Sequence, residues 1–440
     1  MLDSLGTNEK YGKSGGLWRP SLCLLALALL GGCGGDGSDS TPPGSGLGDP
    51  VQPAPVEPAL PSEPAFRSAE ALGESLFFDT NLSLNRTQAC ATCHDPERAF
   101  TDPRLDAEGL PAAFSLGDDG FSRASRNAPT AAYAAFAPVF QFGTHPRFNS
   151  QQSDYEGYRG GQFLDGRAAD LTEQAGGPPI GAEEMGMPDE ASVVDRLLEN
   201  PDYVVSFRAL YGEQIFDDVE AAYTAMAASI AAYERTDTFA SFDSKYDKAL
   251  RGEYLYEPGT KAALGRALFF SQQFTNCATC HQLAPNSSRQ ETFTNYEYHN
   301  IGTPVNDAAR LAANIPLDDL DEGLLRNPAV DDPAETGKYK VPTLRNVAVT
   351  SPYMNNGLFR RLDTVIRFYD KFQTGSDNQV NPETGAPWRE PPFPDTISLL
   401  ELRDGRRLDD SEIEALVCFL RTLTDERYEY LIEEDGIACD

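Results

Sequence analysis

The sequence predicts a mainly α-helical chain made of two duplicated domains with long irregular loops. The pentapeptide Cys-Ala-Thr-Cys-His occurs at residues 90–94 and again at 277–281. Each copy follows the same pattern, Leu-Gly-x-x-Leu-Phe-Phe, at 72–78 and at 264–270. Both patterns are typical of an amphipathic helix that leads into a binding loop. A chance match would not repeat both features in the same order, so we interpret the chain as a duplicated module.

The first residues are predicted to be a targeting segment. A basic region precedes the apolar run 22–30, and Leu-Gly-Gly-Cys at 30–33 matches a lipobox, whose cysteine becomes the lipidated first residue. This predicts a lipoprotein signal peptide at 1–33 and a protein that is periplasmic or cell-surface, anchored by lipid at Cys33 to the outer membrane. An ordinary secretory signal or an uncleaved anchor is the alternative. Residues 34–65 are rich in Gly, Ser, Pro and Asp, which predicts a flexible linker.

The repeated pentapeptide is the attachment signature of c-type haem. Thiols at positions i and i+3 lie on one face of a helical turn and can add to the two vinyl groups of one porphyrin, while the following histidine ligates the iron. A four-cysteine zinc site is the alternative, but zinc does not require a histidine after both pairs. We therefore predict two covalent haems, with the first on Cys90, Cys93 and His94 and the second on Cys277, Cys280 and His281.

Each motif is expected to define one cytochrome c-like haem domain, at 66–248 and at 249–440. Between and around the motifs, helical periodicity alternates with irregular sequence. The helices are expected at 217–234, 259–270 and 410–423. The irregular stretches are rich in Pro and Gly and lie at 104–130, 300–342 and 374–396. Long irregular segments are unusual in a compact domain unless they bind something, and wrapping two haems accounts for them.

Charge and cysteine usage restrict the partners and the compartment. The formal net charge is −32, which argues against nucleic acid or an acidic membrane surface as a partner. Contact with a membrane is therefore expected only through the N-terminal lipid. Cys23 lies in the predicted signal peptide, so Cys418 and Cys439 remain after the haem and lipid cysteines are assigned. In an oxidising compartment they form a plausible disulfide, and two free thiols are the alternative.

Further motifs make the chain similar to the bacterial di-haem cytochrome c peroxidase and MauG family, over about residues 66–424. They are Arg-Asn-Ala-Pro-Thr at 126–130, Phe-Leu-Asp-Gly-Arg at 163–167, Val-Pro-Thr-Leu-Arg-Asn at 341–346 and Pro-Tyr-Met-Asn-Asn-Gly at 352–357. The resemblance implies that the N-terminal haem reacts with peroxide and that the C-terminal haem is six-coordinate.

The same resemblance implies the sixth ligand of the second haem. It lies at a fixed distance after the Pro-Tyr-x-x-x-Gly motif, and an ungapped count reaches Tyr369. The family has methionine here in typical peroxidases and tyrosine in MauG. A phenolate stabilises oxidised iron, whereas methionine raises the reduction potential. A core aromatic on the surrounding helix is the alternative reading of Tyr369.

The resemblance also implies the catalytic residues of the first haem. Pro178 and Glu184 match the family's distal proline and acid–base glutamate, and the adjacent Glu183 is the alternative. Cleavage of peroxide needs a group that accepts a proton from one oxygen and returns it to the other, which a buried carboxylate can do. The loop 117–125 contains no histidine, so the first haem is expected to be open. His299 is expected to support the second haem from behind its ligands.

Two positions depart from the family pattern. Leu164 replaces the tryptophan that lies between the haems, so another aromatic residue is expected to carry electrons or the haems are coupled less strongly. Asn355 replaces a histidine that is frequent in the peroxidases. The candidate aromatic residues are Tyr133, Tyr353 and Trp388.

A calcium ion between the haems is a further implication of the resemblance. The matching positions are Asn127, Thr350 and Pro352, which offer oxygen ligands of the kind that calcium prefers. A role of Asn127 in bracing a turn is the alternative.

The resemblance implies an H2O2-dependent di-haem oxidoreductase that oxidises Trp or Tyr residues of a periplasmic or surface protein partner. The alternative is a cytochrome c peroxidase that reduces H2O2 to water with electrons from a small cytochrome c or cupredoxin. A plain electron carrier is a third possibility, against which Glu184 and the open first haem argue.

Overall fold

Helices dominate the structure, in agreement with the predicted mainly α class. The structure is a computed structural model, and it describes residues 60–147, 152–283, 290–433 and 435–439. The predicted signal peptide, Cys33 and nearly all of the predicted linker lie outside the described residues. Within the described ranges, no helix combines the length and the apolar character that a membrane span needs.

The α-helices are short and most of them begin at a side chain that caps the first turn. In chain order they are α1 Ala69–Phe77, α2 Cys90–Cys93, α3 Leu171–Ala175, α4 Gly177–Ile180, α5 Glu190–Leu198, α6 Pro201–Tyr211, α7 Val219–Glu234, α8 Lys245–Leu250, α9 Lys261–Phe269, α10 Cys277–Cys280, α11 Asp307–Ala312, α12 Leu362–Asp370, α13 Leu399–Leu402 and α14 Asp410–Arg421. The predictions of helices at 217–234, 259–270 and 410–423 are confirmed as α7, α9 and α14.

Short 3-10 helices and two small antiparallel sheets complete the described fold. The 3-10 helices are Thr80–Leu82, Pro96–Arg98, Ala134–Phe136, Ile215–Asp217, Leu324–Arg326, Pro333–Glu335, Val347–Val349, Pro394–Thr396 and Glu426–Leu431. The strands pair as β1 Gln141–His145 with β2 Tyr155–Arg159, and β3 Tyr298–His299 with β4 Tyr339–Lys340. The predicted irregular stretch 104–130 has neither helix nor strand, whereas 300–342 contains α11 and β4.

Two helix pairs form the centres of two apolar cores. In the first core α1 packs against α7, and in the second α9 packs against α14. A glycine brings each pair into close contact: a Cβ on Gly73 would lie 1.8 Å from the Ser229 carbonyl oxygen, and one on Gly265 would lie 1.9 Å from that of Ala415. These are the glycines of the repeated Leu-Gly-x-x-Leu-Phe-Phe pattern. The pattern therefore has the same packing role in both halves.

The two cores belong to one continuous body. Residues 59–440 group into a single compact unit. The predicted boundary at 248/249 falls inside α8, whose Tyr246 packs in the second core. The structure thus has two apolar centres, but no break in contacts separates the described parts of the two predicted domains.

A disulfide bond between Cys418 and Cys439 ties the C-terminal tail to α14. This resolves the alternative left open by the sequence in favour of the disulfide. Arg421 strengthens the same attachment, because its guanidinium donates to the Asp435 carboxylate at 2.5 Å and to the Ile437 carbonyl at 2.8 Å. The tail is therefore held to the last helix by a covalent bond and by charged hydrogen bonds.

Candidate haem sites

Both Cys-Ala-Thr-Cys-His motifs fold in the same way. Each Cys-to-Cys segment forms one helical turn, α2 or α10, and the histidine follows as its C-cap. The Nδ1 atom of His94 donates to the Phe100 carbonyl at 3.1 Å, and that of His281 donates to the Phe293 carbonyl at 2.9 Å. Since a carbonyl can only accept, Nδ1 carries the proton and Nε2 is left with a free lone pair. This is the tautomer that an iron ligand needs, so the residues fit a haem.

The electrostatic surroundings of the motifs favour neutral imidazoles. Burial lowers the pKa of His94 and lowers that of His281 to about 4. Burial also raises the pKa of the Cys93 and Cys277 thiols to about 11 in each case. Among the described residues, no group of three or more His, Cys, Asp and Glu side chains is placed to hold a metal ion, so the cysteine pairs are not assembled into a zinc cluster.

A cavity of about 370 Å³ lies beside the second motif. Cys277, Cys280 and His281 line it, and so does Tyr369 from α12. Burial, with smaller contributions from Cys280 and Cys277, raises the pKa of the Tyr369 phenol. Such a phenol keeps its proton unless a cation takes the proton's place. The structure thus brings the predicted sixth ligand to the predicted haem.

Lys340 is a residue of this cavity that sequence reasoning missed. It lies on β4, its backbone N–H donates to the Leu164 carbonyl at 2.9 Å, and its ammonium group donates to the Gly161 carbonyl. Burial lowers its pKa to about 7, although Asp165 acts in the opposite direction. An anionic group that enters the cavity would stabilise the charged form of this buried ammonium group. Its position inside a predicted irregular stretch gave no sign of this burial.

His299 lies near Cys280 of the second motif, and its supporting role at the second haem stays a prediction. It lines the same cavity, and its two ring nitrogens lie 3.2 Å from the Ser398 hydroxyl and 3.2 Å from the Glu297 carboxylate. Burial alone would lower its pKa, but Cys280 and Glu297 raise it to about 10. When haem attachment converts the Cys280 thiol into a thioether, Glu297 remains as the charged partner. A buried ion pair with Arg147 at 3.0 Å fixes that carboxylate.

The predicted acid–base residue lies beside the first motif. Glu184 is half-buried, and its charge adds a small contribution to burial, which is the main cause of the raised pKa of Cys90 and Cys93. Burial raises its own pKa, and Arg167 opposes that shift. The backbone that carries it is anchored to α4, because the Met185 N–H donates to the Pro178 carbonyl at 3.2 Å.

Glu183 has a different environment from that of Glu184. Its side chain is exposed to solvent, whereas Glu184 turns inward towards Gly181. The ring of Phe163 lies close to Gly177, because a Cβ atom on that glycine would be 3.3 Å from the ring. The Arg167 guanidinium covers the same ring, at 3.7 Å from its centre. The structure therefore favours Glu184 over its neighbour for a role at the first motif.

The residues predicted for calcium line one wall of the large cavity. Asn127, Thr350, Pro352 and Asn355 all contribute to it. The Asn127 side-chain amide donates to the Ala113 carbonyl at 3.0 Å, which leaves its carbonyl oxygen free to face a cation. Its backbone N–H donates to the Asn355 carbonyl at 2.8 Å. Residues from both halves of the chain therefore line this cavity with oxygen atoms of the kind that calcium prefers, and calcium binding itself stays a prediction.

Comparison with known proteins agrees with this geometry. Residues 67–254 match the family model of the di-haem cytochrome c peroxidases. The methylamine utilization protein MauG of Paracoccus denitrificans is 50% identical over 379 residues, which cover 86% of this chain and 94% of MauG.

Two solved structures are also similar. The di-haem peroxidase BthA of Burkholderia thailandensis matches with a TM-score of 0.72 and 29% identity, covering 84% of this chain and 89% of its own. A MauG-like protein associated with microbial copper homeostasis matches with a TM-score of 0.59 and 26% identity, covering 89% of this chain and 98% of its own.

The helical fold and its two haem-attachment motifs define a peroxidase-type oxidoreductase that carries c-type haem. More specifically, the chain belongs to the di-haem cytochrome c peroxidase family, which implies two haems per chain.

Proposed function

We propose that this protein uses H2O2 to oxidise Trp or Tyr side chains of a periplasmic or surface protein. The observation that supports this most is Tyr369, which lines the cavity of the second motif together with His281. A tyrosine ligand favours oxidised iron over reduced iron. A second haem of that kind stores oxidising equivalents for a distant substrate better than it accepts electrons from a small donor protein.

The residues around the first motif suit the peroxide step. The haem, when bound, supplies the iron that cleaves the O–O bond. Glu184 takes a proton from the near oxygen of peroxide and returns it to the leaving oxygen, which departs as water. Pro178 shapes the open face and holds the backbone of the Glu184 segment. The two oxidising equivalents are then consumed by removal of two electrons from the partner.

Calcium and a lipid anchor belong to the same proposal. A calcium ion held by the Asn127 side chain and by the Thr350 and Pro352 carbonyls joins the two halves at the large cavity. The lipid on Cys33 and the linker keep the enzyme at the outer membrane, in the compartment of its partner. The net charge of −32 favours a partner with a basic docking surface rather than nucleic acid.

A second function is reduction of H2O2 to water with electrons from a small cytochrome c or cupredoxin. The likeness to the di-haem peroxidase BthA favours it. The two functions differ in the fate of the electron source: a donor cytochrome or cupredoxin is oxidised by electron loss and keeps its covalent structure, whereas a substrate protein is covalently altered.

The test is addition of H2O2 to the purified holoprotein with and without periplasmic extract, followed by intact-mass analysis. We expect one extract protein to change in mass, through added oxygen or lost hydrogen, and the Glu184→Gln variant not to produce that change. If peroxide is consumed rapidly with a reduced cytochrome c or cupredoxin and no extract protein changes in mass, the second function is correct.

A further inference from the structure

Tyr133 is a buried tyrosine at the junction of the two cores. Its side chain is 2% exposed, it belongs to the first core, and it also lines the large cavity beside the second motif. It is therefore in a position to connect the two haem sites.

A short chain of bonds links Tyr133 to the ligand of the first haem. The Phe100 carbonyl accepts the His94 Nδ1 proton at 3.1 Å and also accepts the Ala131 N–H at 3.1 Å. Ala131 lies two residues before Tyr133. The backbone that carries the tyrosine is thus fastened to the same oxygen as the imidazole.

A second chain of contacts runs from Tyr133 to the ligand of the second haem. The Arg345 guanidinium lies 5.4 Å from the centre of the Tyr133 ring and 5.4 Å from that of Phe293. The Phe293 carbonyl accepts the His281 Nδ1 proton at 2.9 Å. Tyr133 is therefore linked by contacts to both of the phenylalanines that hold the motif histidines.

The phenol has a partner that can take its proton. Tyr133 donates to the Asp425 carboxylate at 2.6 Å, and both groups are buried. Asn346 holds the other carboxylate oxygen at 2.9 Å. Two other cavity tyrosines have different hydrogen-bond partners, since Tyr339 donates to the Asp321 carbonyl and Tyr296 to the Thr292 hydroxyl.

The backbone of Tyr133 is held in a conformation that tyrosine does not favour. Its φ angle is 62°, in the left-handed region, which is unfavourable for a residue with a side chain. Hydrogen bonds on both sides keep it there, since its own N–H donates to the Phe239 carbonyl at 3.0 Å. Strain of this kind is found where the position of a side chain matters for function.

We propose that Tyr133, with Asp425 as its proton acceptor, is a redox relay between the two haems. The aliphatic side chain of Leu164 cannot be oxidised at an accessible potential, whereas a phenol that is hydrogen-bonded to a carboxylate can be. The relay rests on the proposed function only in requiring peroxide as the oxidant.

The relay step is balanced in electrons and protons. After peroxide has oxidised the first haem, Tyr133 gives one electron to that haem and its phenolic proton to Asp425, which leaves a neutral tyrosyl radical. An electron from the second haem then reduces the radical, and Asp425 returns the proton. The net result is one electron moved from the second haem to the first, with the tyrosine unchanged.

The test mixes holoprotein with H2O2 alone and follows both haems by rapid-mixing absorption spectroscopy. Tyr133→Phe removes the donor of the electron and proton, and Asp425→Asn removes the proton acceptor. Each variant should slow oxidation of the second haem by on the order of tenfold or more. The reaction of the first haem with peroxide should be unchanged. Tyr353→Phe, which changes another cavity tyrosine, is the matched control. In wild-type protein, deuterated water should slow the transfer, and Tyr133→Phe should abolish that sensitivity.

Two further measurements separate a relay from a structural role. Freeze-quenched samples should give a tyrosyl radical signal that narrows with ring-deuterated tyrosine and is lost in Tyr133→Phe. Electron exchange between the two haems of the partially reduced protein does not need oxidation of a tyrosine. Tyr133→Phe should therefore leave the rate of this exchange unchanged. Haem content and thermal unfolding confirm the integrity of each variant, and Tyr133→Phe decides the question if Asp425→Asn does not fold.

The relay is overturned if both variants oxidise the second haem at the wild-type rate, or if Tyr353→Phe slows it equally. It is also overturned if peroxide never oxidises the second haem of wild-type protein, because nothing is then transferred. No partner protein is present in this test. A failure to find a modified partner therefore refutes the proposed substrate and leaves the relay result intact.

Discussion

At the scale of single residues, the proposed function depends most on Tyr369 as a ligand of the second haem. Tyr369→Phe removes the phenol oxygen and keeps the ring, so the second haem should lose its sixth ligand and its low-spin signal. Tyr369→Met should raise the reduction potential of that haem by on the order of hundreds of millivolts. Absorption and electron paramagnetic resonance spectra, with potentiometric titration, measure both effects.

Phe368 is a suitable control for this prediction, because it neighbours Tyr369 on α12 but is fully buried in a cluster with Phe359 and Trp388. Phe368→Leu should reduce stability and leave the low-spin signal unchanged. Unaltered spectra in both Tyr369 variants would mean that Tyr369 is only a core aromatic residue.

Glu184 is the residue on which the proposed reaction of the first haem with peroxide depends. Glu184→Gln keeps the size of the side chain and removes the base, so the reaction with peroxide should slow by about 10²–10⁴ while both resting haem spectra stay the same. Rapid mixing with H2O2 measures this rate. The exposed Glu183 is the matched control, and a severe loss in Glu183→Gln with a silent Glu184→Gln would reverse the assignment.

How far the sequence predicts individual residues depends on what fixes them. The haem cysteines and histidines follow from covalent chemistry at fixed spacing, so a short motif defines them. Tyr133 and Asp425 are 292 residues apart and meet only through the packing of the two cores, so no local pattern connects them. Lys340 was missed for the same reason, since its burial depends on distant backbone at Gly161.

At the scale of elements, the repeated glycines determine how closely the main helices pack. Gly73→Ala and Gly265→Ala place a methyl group against the backbone of α7 and α14, so each should lower the free energy of unfolding by roughly 1–3 kcal/mol or more. Thermal or chemical unfolding measures the loss. Glu74→Ala, at an exposed position of α1, is the control and should change stability little. Equal stability of the glycine variants and wild type would contradict the packing of these helices.

Helix α7 carries a buried carboxyl group at its C-terminal end. Glu234 is 7% exposed, and burial raises its pKa to about 8, from 4.5 for an unburied glutamate. Its Oε2 atom has no hydrogen-bond partner among the described residues. Between these two pKa values the folded protein holds a proton that the unfolded chain does not. Stability is therefore expected to fall as pH rises through this window.

Glu234→Gln should remove this dependence and give a more stable protein at pH 8, since each unit of displaced pKa corresponds to about 1.4 kcal/mol at most. Unfolding free energies measured between pH 5 and pH 9 check the prediction, with Glu220→Gln on an exposed face of α7 as control. Parallel pH profiles for wild type and Glu234→Gln would show that the carboxyl group is ionised in the folded state.

The sequence predicted the long helices of this fold well, whereas its division into two domains at 248/249 stays a prediction. α7, α9 and α14 have strong helical periodicity, and caps such as Asp409 on α14 define their first turns. The division at 248/249 relied on the spacing of the two motifs alone. In the structure α8 crosses that division because Tyr246 packs in the second core.

At the scale of the whole molecule, a buried arginine contacts residues of both halves of the chain. The buried Arg345, from the second half, binds the Asp247 carboxylate through two hydrogen bonds of 2.6 and 2.8 Å. It also contacts Tyr133 of the first half. Arg345 therefore connects the second core with Tyr133 of the first core.

Calcium is expected to reinforce this junction, because Asn127 comes from the first half and Thr350 and Pro352 from the second. Removal of calcium with EGTA should lower the unfolding temperature and alter the haem spectra, and added Ca²⁺ should reverse both changes. Mg²⁺ should not reverse them, because it demands a tighter octahedral shell than this set of carbonyl oxygens provides.

Asn127→Leu should abolish the effect of calcium by removing the side-chain oxygen of Asn127. Asn127→Asp should retain it, although both variants lose the hydrogen bond to Ala113, so the pair separates cation binding from the bracing of a turn. If metal analysis of the purified protein finds no calcium and EGTA changes neither property, Asn127 serves only to hold its loop.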